Sequence, residues 1–485
     1  MRHTKIVATL GPATDTPECM ARLIRAGMNV ARLNFSHGDH ETHARRLASV
    51  RAVSDRLGIP VAVLQDLSGP KMRTGPLQGG QPVELTAGQT LTITTEDIVG
   101  DAERISTDYA ALPQDVKPGD SILLSDGLIQ LRVLDTTDTA VRCEVLNSGE
   151  LRQRQGINLP GVDISSPTVT DKDIDDLRFG LEQGVDYVAM SFVRRAADIL
   201  QIKDLIAQAG QDVPVIAKIE RPEAVQALDS ILAVADGIMV ARGDLGVEMP
   251  LEEVTLIQKR LIRAANERAV PVITATQMLE SMIRNPNPTR AEVSDVANAI
   301  LDGSDAVMLS GETSIGKYPV KAVETMALIA RAVEESPLFR SDEESAAARL
   351  LMHEVQSVPE AIGAAVSAIA NTLPVKAVWV FTQTGNTARM VAQYRPPVPI
   401  LALTPYERIC RRMALFWGVT PLKVHYFKDD REFWEQLMPF VVSQGYAQPG
   451  DTVVITGGHP FHRHGPTNFL KIQVVEAGPD AANTP

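Results

Sequence analysis

The stretch 215–242 reads Val215-Ile216-Ala217-Lys218-Ile219-Glu220, then a segment of helical period, then Gly237-Ile238-Met239-Val240-Ala241-Arg242. Both apolar runs are short, hold β-branched residues and turn polar at their C-terminal ends. Strand, helix, strand with no polar alternation in the strands is the pattern of a right-handed βαβ unit whose parallel sheet is covered on both faces. The same kind of run recurs at Lys5–Leu10, Asn29–Phe35, Val61–Leu67, Tyr187–Phe192, Pro271–Thr276 and Ala306–Ser310, with helical segments such as Leu251–Arg268 and Pro319–Val333 between the later ones. Eight repeats predict a closed (β/α)8 TIM barrel, α/β in class, with a doubly wound sheet as the structural alternative.

Between the third and fourth runs, over residues 70–167, the period changes to two. Val83-Glu84-Leu85-Thr86 and Leu91-Thr92-Ile93-Thr94 alternate around Ala87-Gly88, and Ile122–Leu124, Leu128–Leu134 and Val141–Val145 are separated by Asp126-Gly127 and Asp135–Asp138. This predicts a nested small antiparallel β domain. The flanking residues 1–69 and 168–338 total about 240, close to the roughly 250 typical of such a catalytic barrel. Ser341-Asp342-Glu343-Glu344-Ser345 reads as a polar linker into a C-terminal α/β domain, residues 339–485. Its expected elements are a helix at Glu360–Asn371 and strands at Ala377–Phe381, Ile400–Leu403, Leu422–Tyr426, Thr452–Ile455 and Lys471–Val475, mainly parallel.

Composition sets the outer limits. With 485 residues the chain has room for about three domains, and 44% apolar with 22% charged residues describes an ordinary globular protein. The net charge of −13 and the absence of a Lys/Arg run argue against nucleic acid or an anionic membrane as partner. Cys19, Cys143 and Cys410 are far apart, so neither a disulfide framework nor a zinc site is expected, and a reducing, cytoplasmic location fits. The N-terminus enters its first strand without a secretory apolar core, and no apolar run is long enough to span a membrane.

Chemistry collects where the barrel strands end, the rim at which such barrels build active sites. Residues i and i+2 share a strand face, which pairs Lys218 with Glu220 and aligns Arg32, Asn34 and Ser36. Arg242-Gly243-Asp244-Leu245-Gly246 brings a second carboxylate on a glycine-bracketed turn. Glu220 and Asp244 together suit Mg²⁺, which takes one or two carboxylates and completes its shell with water and substrate oxygens. Asp66, Lys71 and Arg73 approach the same rim, and Arg32 suits bidentate phosphate binding. Thr274 and Thr276 end the seventh run and Ser310 the eighth. Gly311-Glu312-Thr313-Ser314-Ile315-Gly316-Lys317 has P-loop spacing, but Tyr318 stands where such a loop needs Ser or Thr, and Pro319 follows. His37, His40 and His43 recur every three residues and read as a solvated helix start rather than a metal site.

In combination, Asn29–Gly38, Ala217-Lys218-Ile219-Glu220, Val240–Glu248, Ala275–Met282 and Leu309-Ser310-Gly311-Glu312-Thr313 resemble pyruvate kinase over nearly the full chain. The resemblance implies phosphoryl transfer from phosphoenolpyruvate to ADP, giving pyruvate and ATP, the last step of glycolysis, with Mg²⁺ required. It implies that Glu220 and Asp244 hold Mg²⁺. Lys218 and Arg32 would neutralise the transferring phosphoryl group, and the amides of Gly243 and Asp244 would hold the substrate carboxylate. Thr276 would lie near the methylene carbon that gains a proton, and Ser310 would belong to the relay supplying it. Asn34, Phe35, Ser36, His37 and Arg73 would face the nucleotide phosphates. A homotetramer is also implied, as are a small β-barrel lid formed by residues 70–167 and a regulatory role for residues 339–485.

Two departures from the family's pattern stand out. Lys71 occupies a position where many members carry Glu and depend on K⁺, and Leu67 and Ser68 replace the usual Thr and Lys. The expectation is that the Lys71 ammonium replaces the monovalent cation, so that K⁺ is dispensable and Asn34, Ser36, Asp66 and Leu67 remain as a vestigial or weak K⁺ pocket. In Leu151–Pro160, Gln155 stands where the family has Lys, and Arg154 is its possible substitute. Thr382-Gln383-Thr384-Gly385-Asn386-Thr387 resembles the loop that binds a phosphorylated allosteric effector in regulated members, with Thr382, Thr384, Gly385, Asn386 and Thr387 as the binding set. The competing readings are a Mg²⁺-dependent lyase on a pyruvate-binding barrel and a non-catalytic effector-binding homologue.

Overall fold

The apolar runs form eight parallel strands: Lys5–Thr9, Val30–Asn34, Ala62–Asp66, Tyr187–Met190, Val215–Ile219, Gly237–Ala241, Val272–Ala275 and Ala306–Leu309. They are seen in a computed structural model that describes residues 2–339, 357–425, 429–460 and 465–476. Each strand pairs with the next, and the last returns to the first with Lys5 opposite Ala306, closing the barrel. Every strand residue except Asn34 is buried. One face packs inward, with Val7, Val30, Leu64, Ile216, Met239, Ile273 and Met308 in a single cluster. The alternate residues, such as Ile6, Ala31, Val63 and Val240, pack outward against helices. Burial on both faces is why the strands read as unbroken apolar runs.

The surrounding helices start and stop where local chemistry directs. Asp39 accepts the Thr42 amide at the head of His40–Leu57, and Gly58, at φ 64°, ends that helix in the left-handed conformation that favours glycine. Thr170 and Asp173 form a reciprocal capping box on Asp171–Gln183, and Thr289 with Glu292 does the same on Arg290–Leu301.

The inserted segment forms a seven-stranded sheet in the order Met72–Arg73, Gly156–Asn158, Ser121–Leu124, Ile129–Thr136, Ala140–Val145, Thr90–Thr94, Arg104–Ser106. Its two edges meet: Thr74 bridges Thr107, Gly75 donates to the Ser106 carbonyl and Asp108 to that of Arg73. The sheet therefore curls toward a small barrel around its own apolar core. Two details differ from the sequence expectation. The Thr90–Thr94 strand pairs in parallel with Arg104–Ser106, and Val83–Leu85 pairs with Gly149–Leu151 instead of with its neighbour in sequence. The Ala87-Gly88 turn marks a change of sheet, which alternation alone does not distinguish from a hairpin.

The C-terminal sheet has the order Val419–Lys423, Ile400–Thr404, Val375–Phe381, Thr452–Gly457, Phe469–Val474, parallel except for the last strand. The strand expected at Leu422–Tyr426 lies at Val419–Lys423. Pro421 is tolerated within it because this is an edge strand. Tyr426 and the Ser341–Ser345 linker fall outside the described residues.

This domain closes the barrel's N-terminal end. Leu415 enters the inner cluster, Tyr187 donates its hydroxyl to the Arg412 carbonyl at 2.8 Å, and Lys5 Nζ donates to the Val419 carbonyl at 2.6 Å. Arg395 pairs with Asp305 at 2.7 Å and lies 4.7 Å over the Trp417 ring. Burial pulls the Lys5 pKa down to about 7. With that end plugged, the opposite mouth is the one left for chemistry. Among the described residues no helix is long and apolar enough to cross a membrane, and the three cysteines are free.

Candidate active site

Strand ends two, three and five build the centre of the mouth. Parallel pairing sets Arg32 beside Leu64 and Asn34 beside Asp66, so side chains from neighbouring strands emerge at one level. Arg32 Nε donates to Asp66 Oδ2 at 2.6 Å and its Nη1 to Thr9 Oγ1 at 2.9 Å. Lys218 Nζ lies 2.8 Å from Glu220 Oε1 and 3.4 Å from Asp66 Oδ1, and donates to Ser191 Oγ at 2.7 Å. Arg32, Asp66, Lys218 and Glu220 are all buried.

Burial by itself would lower the Lys218 pKa. The carboxylates of Asp66, Glu220 and Asp244 outweigh it and hold the ammonium above the ordinary lysine value. Burial likewise opposes ionisation of Asp66, but Lys218 and Arg32 hold its pKa below the usual carboxylate value. Glu220 is pushed up, first by burial and then by repulsion from Asp244, against the pull of Lys218. Glu220 and Asp244 therefore lie close enough across this polar mouth to repel one another. Among the described residues no group of three or more His, Cys, Asp or Glu is arranged to hold a metal ion alone, and Asp66 is engaged with Arg32 and Lys218, which leaves Glu220 and Asp244 as the hard oxygen groups at the mouth. That donor set fits Mg²⁺ completed by substrate and water.

The glycine-bracketed turn that carries Asp244 is the first turn of a short helix, Arg242–Glu248. The Gly243 amide donates to Thr276 Oγ1 at 2.8 Å, and that hydroxyl donates to the Ala275 carbonyl at 2.6 Å. A substrate carboxylate arriving at Gly243 would compete with the threonine. Thr276 and Gln277 have φ of 68° and 56°, left-handed values that are strained for a β-branched residue and collect at functional sites. Ser310 is half-buried, and its amide donates to Glu312 Oε2 at 2.7 Å while Leu279 donates to Oε1 at 3.1 Å. The fully buried Glu312 thus ties the seventh and eighth strand ends together.

The inserted domain forms one wall of a cleft of about 1030 Å³, open mouth included, lined by Lys71, Arg73, Arg154, Asp244 and Glu248 among others. Arg73 Nη1 donates to the Arg154 carbonyl at 3.2 Å. Arg154 is itself left-handed, at φ 57°, while the Gln155 side chain turns back to the Gln153 carbonyl. His37 is held below the ordinary histidine pKa by burial and then by the charges of Lys71, Arg73 and Arg32, so these cations converge on it. Lys71 touches water in the open cleft. The protein around it and then the Lys218 ammonium lower its pKa, against the attraction of Asp244, Glu220 and Asp66.

The four positions expected to remain as a vestigial or weak K⁺ pocket each have a partner within the protein. Asn34 Oδ1 accepts the Ser36 amide at 3.1 Å, Ser36 Oγ meets Ser68 Oγ at 3.3 Å, and the Leu67 carbonyl accepts Ser191 Oγ at 2.7 Å. Both Asp66 oxygens face Arg32 and Lys218.

Two readings of the second strand end need revising. The Phe35 ring is buried and stacks on His43 at 4.1 Å, so only its backbone is left for a nucleotide. The solvated reading fails for His43, which is buried against the Phe35 ring, and holds for His40, which stays exposed although it stacks on Phe179 and bonds Asp176 at 2.7 Å. Phe179 belongs to the neighbouring helix Asp171–Gln183, remote in sequence. In the C-terminal loop, Thr382 accepts the Gly385 amide at 2.8 Å and Thr387 bonds Thr467 at 2.7 Å, both buried, whereas Thr384 and Asn386 are exposed. Sequence reading passed over Ser191, Arg194, Arg221, Glu248 and Glu312. Arg194 and Arg221 were findable as charges in the turns after strand ends four and five, whereas Glu248 lies a whole short helix beyond strand end six.

Comparison with known proteins agrees with this geometry. Residues 1–323 match the family described as pyruvate kinase, barrel domain, and residues 360–473 match pyruvate kinase, alpha/beta domain. A pyruvate kinase of Geobacillus stearothermophilus is 47% identical over 98% of this chain and 80% of its own length. Pyruvate kinase 2 of a Synechocystis strain has the same identity and coverage. The crystal structure of a pyruvate kinase from Cryptosporidium parvum superposes with a TM-score of 0.91 at 38% identity, covering 98% of this chain and 96% of that one. Two domain models and relatives alike over nearly the whole length, on a barrel whose mouth carries this charge network, show that the chain belongs to the pyruvate kinase family and is a phosphotransferase.

Proposed function

We propose that this chain transfers the phosphoryl group of phosphoenolpyruvate to ADP, with Mg²⁺ at Glu220 and Asp244 and without need of K⁺. The observation that carries the reading is the buried Arg32–Asp66–Lys218–Glu220 network at the barrel mouth, facing a cleft whose other wall supplies Lys71 and Arg73. Bound there, Mg²⁺ supplies Lewis-acid stabilisation of the oxygens that gain charge. Lys218 and Arg32 do the same from the protein side, already oriented by their carboxylate partners, so little reorganisation is needed as charge develops.

A β-phosphate oxygen of ADP forms the new P–O bond while the bond from phosphorus to the enol oxygen breaks, leaving its electron pair on the enolate. The enolate then gains a proton at its methylene carbon, giving pyruvate. Thr276, fixed by Gly243 and Ala275, shapes that face, and Ser310 stands at the next strand end. Asn34, Ser36, His37 and Arg73 hold the nucleotide phosphates. His37, whose pKa burial and the neighbouring cations hold below the ordinary histidine value, serves as a hydrogen-bonding group. The test is pyruvate formation from phosphoenolpyruvate and ADP with Mg²⁺. Turnover that disappears on chelation of Mg²⁺ is expected, and no turnover under any cation would bring the lyase or effector-binding reading forward.

Regulation belongs to the same proposal. The loop 382–387 opens the helix Asn386–Gln393 and exposes Thr384 and Asn386, which suits an anionic phosphoryl group. A phosphorylated sugar or nucleoside monophosphate is expected to shift phosphoenolpyruvate half-saturation severalfold, with Thr384→Ala abolishing the shift. Unmoved half-saturation across such compounds removes the regulatory claim. Assembly as a cytoplasmic homotetramer completes the proposal.

A further inference from the structure

One short loop, Ser191-Phe192-Val193-Arg194 after the fourth strand, touches both the charge network and both connections to the lid. On the network side, Ser191 Oγ accepts from Lys218 Nζ at 2.7 Å and the Phe192 amide donates to Glu220 Oε2 at 2.7 Å. On the outgoing connection, Ser191 donates to the Leu67 carbonyl at 2.7 Å. The Phe192 ring packs so close to Gly69, at φ 67°, that an added Cβ there would lie 2.7 Å from it. On the returning connection, the Arg194 guanidinium bonds the Ile164 carbonyl at 2.7 Å, the Ser166 carbonyl at 3.4 Å, and Thr168 Oγ1 at 2.5 and 3.1 Å.

A second arginine repeats the arrangement. Arg221 directly follows Glu220, is buried, and donates to the Val162 carbonyl at 3.3 Å. It also faces Glu248 at 3.8 Å, and Glu248 Oε1 accepts from Asn158 of the lid at 3.4 Å. The second Glu248 oxygen is buried without a partner among the described residues. The return segment is therefore held mainly through its own backbone carbonyls, by arginines anchored next to the metal carboxylate. Phe192 has a φ of 54°, so this loop is also one of the strained points of the mouth.

We propose that Arg194 and Arg221 are positioning residues that couple occupancy of the Glu220–Asp244 site to the posture of the lid. This deepens the proposed reaction and rests on it. A cation drawn to Glu220 acts on the carboxylate that holds the Phe192 amide. Arg194 carries that change two residues on to Ile164–Thr168, and Arg221 carries it from the neighbouring position to Val162. Neither guanidinium needs to touch substrate. Their work is to make the lid's nucleotide-facing cations arrive only when the barrel site is filled.

The test uses the full chain, with hydrogen exchange of lid peptides spanning 150–170 measured with and without Mg²⁺ plus phosphoenolpyruvate, alongside steady-state kinetics. In the wild-type chain the ligands are expected to slow exchange in this segment about tenfold. Arg194→Met and Arg221→Met should abolish that difference and raise KM for ADP about tenfold, while phosphoenolpyruvate binding, read by calorimetry, changes less than threefold. A role in folding alone would speed exchange equally with and without ligands and leave the ligand-dependent difference in place, which overturns the proposal. So does a wild-type lid indifferent to the ligands. If Met at either position prevents folding, Arg194→Lys keeps the charge but cannot reach all its acceptors, and is expected to halve the effect or more; full retention overturns the coupling. Failure of the reaction itself would appear separately, as no pyruvate from the wild-type chain.

Discussion

Lys218→Met is expected to lower kcat by about a thousandfold or more, about 4 kcal/mol of transition-state stabilisation. The ammonium is buried, kept charged by the carboxylates around it and fixed by Ser191, Asp66 and Glu220 beside the carboxylates proposed to hold Mg²⁺. Charge spreading over a transferring phosphoryl group meets it without solvent reorganisation, where the interaction is worth far more than in water. Half-saturation by phosphoenolpyruvate should move less than kcat, because the group acts chiefly on charge that develops during transfer. The substitution also strands Asp66 and Glu220 with less compensation. A fall in the thermal midpoint that Mg²⁺ partly restores is therefore expected by calorimetry. A kcat within tenfold of the wild-type value would remove Lys218 from the chemistry.

How far this site was legible in advance depended on sequence distance. Glu220 and Lys218 share a strand face, so spacing alone pairs them, and the 2.8 Å contact follows. Arg32 with Asp66 was within reach too, because consecutive parallel strands put their ends at one level. Ser191, which receives Lys218 and holds the Leu67 carbonyl, was not, since nothing about a serine after an apolar run marks it as a junction. The closed barrel was readable because burial on both faces leaves uninterrupted apolar strands. The lid's sheet order was not: alternation marks which face of a strand is buried, never which strand lies beside it, so Val83–Leu85 found Gly149–Leu151 instead. His43 went the same way. A histidine at a helix start looks solvated until Phe35 arrives from the preceding strand to cover it.

The second large effect concerns the monovalent cation. The wild-type chain is expected to turn over at the same rate, within about twofold, in K⁺ and in a bulky inert cation at equal ionic strength. In Lys71→Glu, turnover without K⁺ should fall about a hundredfold, and K⁺ should restore at least tenfold of it. Lys71 is a positive charge in the cleft attracted by Asp244, Glu220 and Asp66. Replacing it with a carboxylate adds a fourth negative group to these three, just where an anionic substrate and nucleotide must meet. The oxygens of the expected K⁺ pocket each have a partner in Ser36, Ser68, Ser191, Arg32 or Lys218 but keep lone pairs for a cation, so the expected independence rests on the Lys71 charge and not on a lack of oxygens. Glutamate supplies both a new oxygen ligand and the missing demand for charge. Tenfold or greater stimulation of the wild-type chain by K⁺ would overturn the role given to Lys71. A variant inactive with and without K⁺ would show that the ammonium contributes more than charge, through a position that a hydrated cation cannot copy.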